Sequence, residues 1–263
     1  MTRSEHQIQQ ATRFAQLHKA GNPLLLFNIW DAGSARACAS AGAAAIATGS
    51  WSVAAAHGVA DGEVLPLALV MANLQRIADS VDLPVSLDLE SGYGSTARQV
   101  GDNVAQAIAH GAVGINMEDQ IAGVGEMYTI EQQCERLAAA RAAADQAGLA
   151  LFINARTDAF LLAERAQHSA EMLDATLERA SAYAAAGASG IFVPGLADPA
   201  LIGKFCKLCT LPTNIMMGSQ SPPPAQLAQL GVARISHGPG PYRLAMQALT
   251  EAARQAQAQL TPH

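Results

Sequence analysis

The sequence predicts an α/β protein in which eight parallel strands alternate with helices around one closed barrel. Eight short runs rich in Val, Ile and Leu recur along the chain, and Ala-rich segments with helical spacing separate them. Gly closes several of those helical segments just before the next run, where a left-handed residue ends a helix. Eight such units in 263 residues match the (β/α)8, or TIM, barrel. We expect a single barrel domain over residues 1–263, with an extra helix at each end of the chain.

The predicted strands share an apolar centre bounded by polar or turn residues. In chain order they are LLLFNIW (24–30), AAIATGS (44–50), PVSLDLE (84–90), VGINMED (113–119), ALFINARTD (150–158), GIFVPGL (190–196), TNIMMG (213–218) and ARISHG (233–238). The intervening helices carry their own signals. Thr129 and Gln132 have the spacing of a capping box, and Asp31 is placed to cap the helix that follows the first strand.

Composition and charge exclude several classes of partner. The net charge is -6, and the Lys and Arg residues are scattered rather than grouped in a basic stripe, which argues against nucleic-acid binding. No stretch approaches the ~20 apolar residues of a membrane span, and the N-terminus lacks the apolar core of a secretion signal. We therefore expect a cytoplasmic protein that neither binds nucleic acid nor enters a membrane.

Strand alternation predicts which side chains enter the barrel. Residues of one parity share a face, so in PVSLDLE the apolar set must meet the outer helices while the polar set points inward. The same rule applies to VGINMED and FINARTD. The inward polar residues of these three strands are Ser86, Asp88, Glu90, Asn116, Glu118, Asn154, Arg156 and Asp158.

Converging carboxylates at one end of a barrel require a neutralising partner. Two carboxylates about 4 Å apart repel by roughly 4 kcal/mol at an effective dielectric near 20, so Asp88, Glu90 and Glu118 favour a bound cation or protonation. An all-oxygen ligand set without Cys or His suits Mg²⁺ or Mn²⁺. The alternative is a buried network in which these acids pair with Arg156 and only stabilise the barrel.

Six stretches together resemble the phosphoenolpyruvate mutase/isocitrate lyase superfamily over nearly the whole chain. They are NIWDAGSARACASAGAAAIATGS, LPVSLDLESGYG, GAVGINMEDQ, INARTDAF, GASGIFVPGL and LGVARISHGPGPYR. The resemblance implies a Mg²⁺-dependent lyase that makes or breaks a C–C bond at C3 of a pyruvyl unit through a metal-bound pyruvate enolate. Its substrate would be a small 2-oxo or 2-hydroxy carboxylate.

The resemblance also assigns metal residues. Asp88 and Glu90 fall at the paired acidic positions, Glu118 falls on the next acid of the metal shell, and Asp61 matches an acid near the metal. Better-known members have Asp at the position of Glu90, and the added methylene leaves two possibilities for Glu90, direct ligation or ligation through water.

Substrate contacts follow from the same resemblance. Arg156 aligns with the arginine that grips the substrate carboxylate and the enolate oxygen. Residues 48–51 occupy the turn that holds the substrate carboxylate, so Thr48, Gly49 and Ser50 are predicted contacts.

The loop after strand four differs from that of the family's lyases, and this difference limits the reactions that we expect. Lyases of this group carry a Lys-Lys/Arg-Cys-Gly-His segment after strand four, whose cysteine is the general acid, but this chain has QIAGVGEMYTIE there. This argues against cleavage of isocitrate or methylisocitrate by that mechanism. Oxaloacetate decarboxylation, P–C bond hydrolysis or rearrangement, and a barrel that binds a 2-oxo acid without turnover remain alternatives.

Several further residues are candidates for the site. Tyr93 in its Gly-x-Gly turn and His237 after strand eight could supply a proton, although a loop tyrosine and a strand-end cap are the alternatives. Trp30 could wall the pocket or pack at the barrel rim. Asn116 and Asn154 point inward by parity and could orient substrate or water.

The last predicted helix of the chain is a candidate for contacts between subunits. Relatives exchange their last helices between subunits, and this implies a homo-oligomer, a dimer or a tetramer. YRLAMQALTEAARQAQAQL could be exchanged in this way, but its weak apolar stripe of Leu244, Leu249 and Leu260 equally fits docking on its own barrel.

Overall fold

The protein folds as a parallel barrel. The computed structural model describes residues 3–259 and contains a sheet of eight strands in the order β1-β8-β7-β6-β5-β4-β3-β2. A parallel bridge between Ile29 and Thr48 joins the first and last strands of this order, with a hydrogen bond from the Ile29 N–H to the Ala47 carbonyl (2.9 Å). The predicted TIM-barrel fold class is therefore confirmed.

All eight strands lie within their predicted ranges but are shorter. They are β1 (Leu24–Leu26), β2 (Ile46–Ala47), β3 (Val85–Asp88), β4 (Gly114–Glu118), β5 (Phe152–Arg156), β6 (Gly190–Phe192), β7 (Thr213–Met216) and β8 (Arg234–Ser236). The residues trimmed from the carboxyl ends belong to the loops that form the site. β3 is the clearest case, because it ends at Asp88 and the backbone turns at Glu90, where φ is +50°.

Helices surround the barrel and close its amino-terminal end. They are α1 (Arg3–Leu17), α2 (Ala32–Ser40), α3 (Ser50–Ala56), α4 (Leu67–Ser80), α5 (Ala97–Ala109), α6 (Ile130–Gln146), α7 (Ala159–Leu162), α8 (Ala170–Ala185), α9 (Pro199–Leu208), α10 (Pro224–Gln229) and α11 (Gly240–Ala258). Two predicted caps are confirmed: Asp31 caps α2, and Thr129 with Gln132 forms the capping box of α6.

The extra helix α1 closes the amino-terminal end of the barrel with aromatic side chains. The Phe14 and Phe152 rings meet edge to face with centroids 5.7 Å apart, and the His18 ring stacks on Phe152 at 3.8 Å. Gly114 of β4 leaves room for this contact, because a Cβ there would lie 2.5 Å from Phe14 Cε1. The helix thus seals the lumen opposite the site.

Polar side chains from different strands meet inside the barrel, as strand alternation predicts. Asn154 Nδ2 of β5 donates to Asn116 Oδ1 of β4 (2.9 Å), and Arg234 Nη2 of β8 donates to the same oxygen (3.1 Å). The apolar set of the opposite parity, including Leu87 and Ile115, is buried. The lumen is therefore a packed polar interior beneath the site.

The terminal helix α11 leaves its apolar stripe uncovered. Leu244 and Leu249 are 61% and 62% exposed, and within Gly240–Ala258 only Pro241 is buried. Leu25 and Phe27 on the outer face of the barrel are also exposed. These two leucines therefore do not pack on the barrel of their own chain, as one of the two alternatives had it. The third leucine of the predicted stripe, Leu260, lies outside the described residues. No helix within residues 3–259 has the length and hydropathy to cross a membrane.

Candidate active site

A pocket of about 190 Å³ opens at the carboxyl ends of the strands. Strands, or the loops that follow them, all around the barrel contribute to its wall. The lining residues are Asn28, Gly49, Ser50, Trp51, Asp61, Asp88, Asn116, Arg156, Leu161, Phe192, Met216, Ser236, Gly238 and Pro239. Seven of the predicted site residues were expected on strands three to five or in the loop after strand two. Four of these seven, Asp61, Asp88, Asn116 and Arg156, are in the wall.

Asp88 lies at the end of β3 and presents one free oxygen. Its Oδ2 accepts a hydrogen bond from the Ser50 N–H (2.9 Å), and its own N–H donates to Thr48 Oγ1 (2.8 Å). Its Oδ1 is buried without a hydrogen-bond partner among the described residues. Asp61 lines the same pocket, and burial together with the Asp88 carboxylate raises the pKa of Asp61. A cation would relieve both effects.

Arg156 is held by two buried acids and retains donors for a ligand. Its Nε and Nη2 donate to the two oxygens of Asp158 (2.6 and 2.8 Å), and Nη1 lies 2.7 Å from Glu118 Oε2. Burial alone would lower the pKa of Arg156, but the Glu118 and Asp158 carboxylates outweigh burial and raise it. A guanidinium has five N–H groups, so two remain for a carboxylate or an enolate oxygen.

Glu90 turns away from the pocket wall and joins two loops. Its Oε2 accepts from the Gly62 and Glu63 N–H groups (2.9 and 2.5 Å), and its Oε1 accepts from the Tyr93 hydroxyl (2.5 Å). Burial raises the pKa of Glu90 to about 7. The parity prediction is wrong for this residue, because alternation requires an extended backbone and Glu90 lies beyond the end of β3 in the left-handed region. Tyr93 is consequently a partner of Glu90 and is absent from the pocket wall.

The four predicted acids do not form one direct chelating group. Within residues 3–259 no three His, Cys, Asp or Glu side chains are grouped to hold a metal ion. Glu118 is paired with Arg156, and burial raises the pKa of Glu118 despite that partner. The residues do fit a hydrated Mg²⁺, which keeps several waters and takes one or two protein carboxylates. The unpartnered Asp88 Oδ1, with Asp61 beside it, meets that need, and Glu90 and Glu118 could act only through water or neighbouring residues.

The turn predicted to hold the substrate carboxylate lies at the pocket, but the amides of Gly49 and Ser50 are engaged. The Gly49 N–H donates to the Ile29 carbonyl (3.2 Å) and the Ser50 N–H donates to Asp88. Thr48 accepts from the Asp88 N–H and is absent from the wall. A substrate carboxylate would have to displace these partners to bind at the Gly49 or Ser50 amide, whereas Arg156 in the same wall has N–H groups left without a partner by the residues that the structure describes.

Other predicted residues lie outside the pocket wall. His237 Nδ1 lies 3.2 Å from the Leu26 carbonyl, and its ring lies against Phe27 with centroids 5.1 Å apart, a contact that fits the strand-end alternative. The Trp30 ring packs edge-on against Tyr242 (5.0 Å) at the rim. Asn154 is buried below the pocket, where it donates to Asn116.

Two arginines that the sequence analysis did not single out support the site. Arg136 of α6 is buried and donates to the Gly94 carbonyl (2.9 Å) and to the Ser91 carbonyl, which fixes the turn that carries Tyr93. Arg234 of β8 is 1% exposed, and burial lowers its pKa to about 9 although Asp88 opposes this shift. The sequence signal for Arg234 is an arginine within a predicted strand, ARISHG, at a position whose side chain alternation directs inward.

Comparison with known proteins establishes the family. The sequence profile of the phosphoenolpyruvate phosphomutase family matches residues 14–257. The chain belongs to that family. A solved structure from Burkholderia cenocepacia J2315, described provisionally as a phosphonomutase, superposes with a TM-score of 0.93 at 52% identity and covers 95% of this chain and 99% of its own.

Two curated relatives of this family member are lyases or decarboxylases. The 2-methylisocitrate lyase of Escherichia coli K12 is 32% identical, over 73% of this chain and 64% of the lyase. The oxaloacetate decarboxylase of Rhodopseudomonas palustris BisB5 is 30% identical, over 78% of this chain and 69% of the decarboxylase. The family thus contains lyases and mutases that act on small carboxylates, and the predicted resemblance is confirmed.

Proposed function

We propose that this chain is a Mg²⁺-dependent lyase that makes or breaks a C–C bond at C3 of a pyruvyl unit. Its substrate is a small 2-oxo or 2-hydroxy carboxylate, and the bond breaks through an enolate. The observation that carries the proposal is the juxtaposition in one pocket of Asp88, with its unpartnered Oδ1, and Arg156, with two N–H groups still available.

Asp88 and Arg156 each have a chemical role in this proposal. Mg²⁺ held at Asp88, with Asp61 beside it, would act as a Lewis acid that stabilises negative charge on the substrate oxygens. Arg156 binds the substrate carboxylate or the enolate oxygen through its free N–H groups, and its orientation is fixed in advance by Asp158 and Glu118. Because these two acids hold the guanidinium, no reorganisation is needed when charge develops.

Buried hydrogen bonds fix two amide side chains of the pocket wall, and we propose that these amides orient the substrate. Asn116 lies between Asn154 and Arg234, which both donate to its Oδ1, so its amide N–H groups are directed by a buried network. Asn28 accepts from the His237 and Gly238 N–H groups (2.9 Å each) and donates to the Thr48 carbonyl (2.9 Å). This amide ties three strand ends together and keeps the floor of the pocket rigid.

Oxaloacetate decarboxylation is the second candidate. It passes through the same pyruvate enolate, and the similarity to a curated oxaloacetate decarboxylase favours it. Hydrolysis or rearrangement of a P–C bond would use the same groups. A 2-oxo-acid-binding barrel without turnover is the non-catalytic alternative, since the chain lacks the Cys-Gly-His segment.

A pyruvate-release assay tests the proposal. Oxaloacetate, phosphonopyruvate, 2-methylisocitrate, 2,3-dimethylmalate and a 4-hydroxy-2-oxo acid would be incubated with the protein in Mg²⁺ and, separately, in excess chelator. We expect release from at least one C–C substrate in Mg²⁺ only, and its loss in Asp88→Asn. Asp102→Asn, on the exposed face of α5, is the matched control.

The outcomes separate the candidates. Release from oxaloacetate alone would establish the decarboxylase, and release from phosphonopyruvate alone the P–C activity. If no substrate reacts while Mg²⁺ and oxalate bind, the barrel is a binding protein. If the reaction proceeds equally in chelator, or in Asp88→Asn, the proposed role of Mg²⁺ is refuted.

A further inference from the structure

Apart from a Mg²⁺ held at Asp88, the pocket offers its ligand a single cation. Among the residues that the structure describes, the ionisable side chains of the wall are Asp61, Asp88 and Arg156, so Arg156 is its one basic residue. Three of its five N–H groups already serve Asp158 and Glu118, which leaves two. Two N–H groups match one carboxylate in a forked pair.

Apart from these three ionisable residues, the lining is uncharged. Asn28, Ser50, Asn116 and Ser236 are polar, and the apolar side chains are Trp51, Leu161, Phe192, Met216 and Pro239. The Trp51 ring is packed edge-on by Tyr242 (6.0 Å), so this part of the wall is supported from α11. Leu161 is 43% exposed, which is a high value for a leucine and places apolar surface at the mouth.

We propose that the substrate is a monocarboxylate whose part beyond the 2-oxo or 2-hydroxy acid group is uncharged and apolar. This inference rests on the proposed function and specifies its substrate class. Mg²⁺ held at Asp88 and the guanidinium of Arg156 would both be engaged by the 2-oxo or 2-hydroxy acid group, so a second carboxylate or a phosphonate in the tail would have no cationic partner. It would also lie with Asp61 and Asp88 in one small cavity, where an unpaired anion is costly.

The corresponding C–C cleavage is a retro-aldol reaction of a 4-hydroxy-2-oxo monocarboxylate. The C4 hydroxyl gives its proton to a water molecule, a C=O bond forms at C4, and the C3–C4 bond breaks. Its electron pair passes to C3 and gives the enolate of pyruvate, which a proton from water then quenches at C3. The products are pyruvate and an alkyl aldehyde, and the reaction needs no oxidant or reductant.

Arg243 is the residue that could contradict this reading. Its guanidinium lies over the Trp51 ring, 4.7 Å from the centroid, and it is not part of the pocket lining. A rotation toward the pocket would bring a second cation to the mouth. The proposal therefore predicts that Arg243→Gln does not change the relative affinity for charged and uncharged tails.

Binding and turnover of matched ligands test the inference. Calorimetry in Mg²⁺ would first establish oxalate binding, and 2-oxopentanoate and 2-oxoglutarate would then compete with oxalate. These acids have five carbons each and differ by a terminal methyl or carboxylate. Cleavage of 4-hydroxy-2-oxopentanoate and 4-hydroxy-2-oxoglutarate provides the same comparison in kcat/KM. We expect the alkyl-tailed member to be favoured by ~100-fold or more, since a desolvated unpaired charge is opposed by several kcal/mol.

Substitutions at the pocket mouth test whether the apolar wall causes the preference for an uncharged tail. Leu161→Arg places a cation in the lining and should reduce the preference at least tenfold. Leu162→Arg is the matched control, because this neighbour on α7 is similarly exposed (42%) but absent from the lining, and it should retain the preference. Retained oxalate binding shows that each variant is folded at the site.

Three results overturn the inference. Equal or better use of the carboxylate-tailed ligands, with oxalate bound, refutes the substrate class and leaves the proposed function intact. If the carboxylate-tailed ligands are used equally well or better and Arg243→Gln abolishes that use, Arg243 supplies the second cation. Failure of oxalate to bind in Mg²⁺ refutes the proposed function, and the inference falls with it.

Discussion

His18 should make the stability of the protein depend on pH in a defined direction. The residue directly follows α1, is 8% exposed, and stacks on Phe152 with ring centroids 3.8 Å apart. Its Nδ1 lies 2.8 Å from the Phe14 carbonyl, and its Nε2 is buried without a partner in the described part of the chain. Burial, and then the charge of Arg234, lower the pKa of His18 to about 3.

The size of this pH effect follows from the difference between the pKa of His18 in the folded and in the unfolded protein. In the unfolded chain the pKa of histidine is about 6.5, so between pH 6.5 and 3 the unfolded state binds a proton that the folded state rejects. Stability contributed by neutral His18 is therefore complete above pH 6.5 and is lost as pH falls. The slope approaches about 1.4 kcal/mol per pH unit, which gives a loss of about 2 kcal/mol at pH 5.

Urea unfolding of the wild type and of His18→Gln at pH 7.5, 6 and 5 measures this contribution. Other groups also titrate, so the decisive quantity is the difference between the two proteins, which should shrink by about 2 kcal/mol from pH 7.5 to pH 5. His110→Gln is the matched control, because His110 also bonds the carbonyl four residues back (Gln106, 2.7 Å) but without an aromatic stack. A difference that is independent of pH, or equal changes in both variants, would refute the assignment to burial.

Three further outcomes are expected. Arg156→Leu should lower the free energy of unfolding in urea by about 3–5 kcal/mol because it leaves two buried carboxylates without their cation, whereas exposed Arg98→Leu should have little effect. Gly195→Ala should destabilise by about 1–3 kcal/mol more than Gly58→Ala. Both glycines have positive φ, but only a Cβ at Gly195 would meet another atom, the Phe160 carbonyl oxygen at 2.6 Å. Sedimentation velocity should show a dimer or tetramer that Leu249→Glu shifts toward monomer, since that side chain is 62% exposed on α11; an unchanged distribution would remove α11 from the interface.

The fold could be predicted because its signals are repeated. Each of the eight units carries its own apolar run and its own helix, so an error in one boundary does not alter the count. Strand alternation also placed Asp88, Asn116 and Arg156 in the pocket wall, because all three lie on regular strands. Local periodicity and helix caps therefore sufficed for the frame.

The rest of the site depends on contacts that no local pattern encodes. Glu90 was placed inward by an alternation that ends two residues earlier, and its partners Gly62 and Glu63 are distant in sequence. The apolar wall required the positions of several loops at once, as the contribution of Leu161 from the short helix α7 shows. His237 follows a strand in the expected place, but its ring direction is set by Leu26 and Phe27 of the neighbouring segment.

The arrangement of charge beneath the pocket explains how a chain with few charged residues tolerates acids at its centre. Asp88 interacts with two guanidiniums, that of Arg156 in the pocket wall and that of Arg234 within the barrel. Arg234 has no carboxylate of its own, and its Nε and Nη1 lack partners among residues 3–259. Its buried charge therefore offsets the cost of placing Asp61 and Asp88 together before any cation binds. The polar lumen is thus part of the electrostatics of the site as well as of the packing of the barrel.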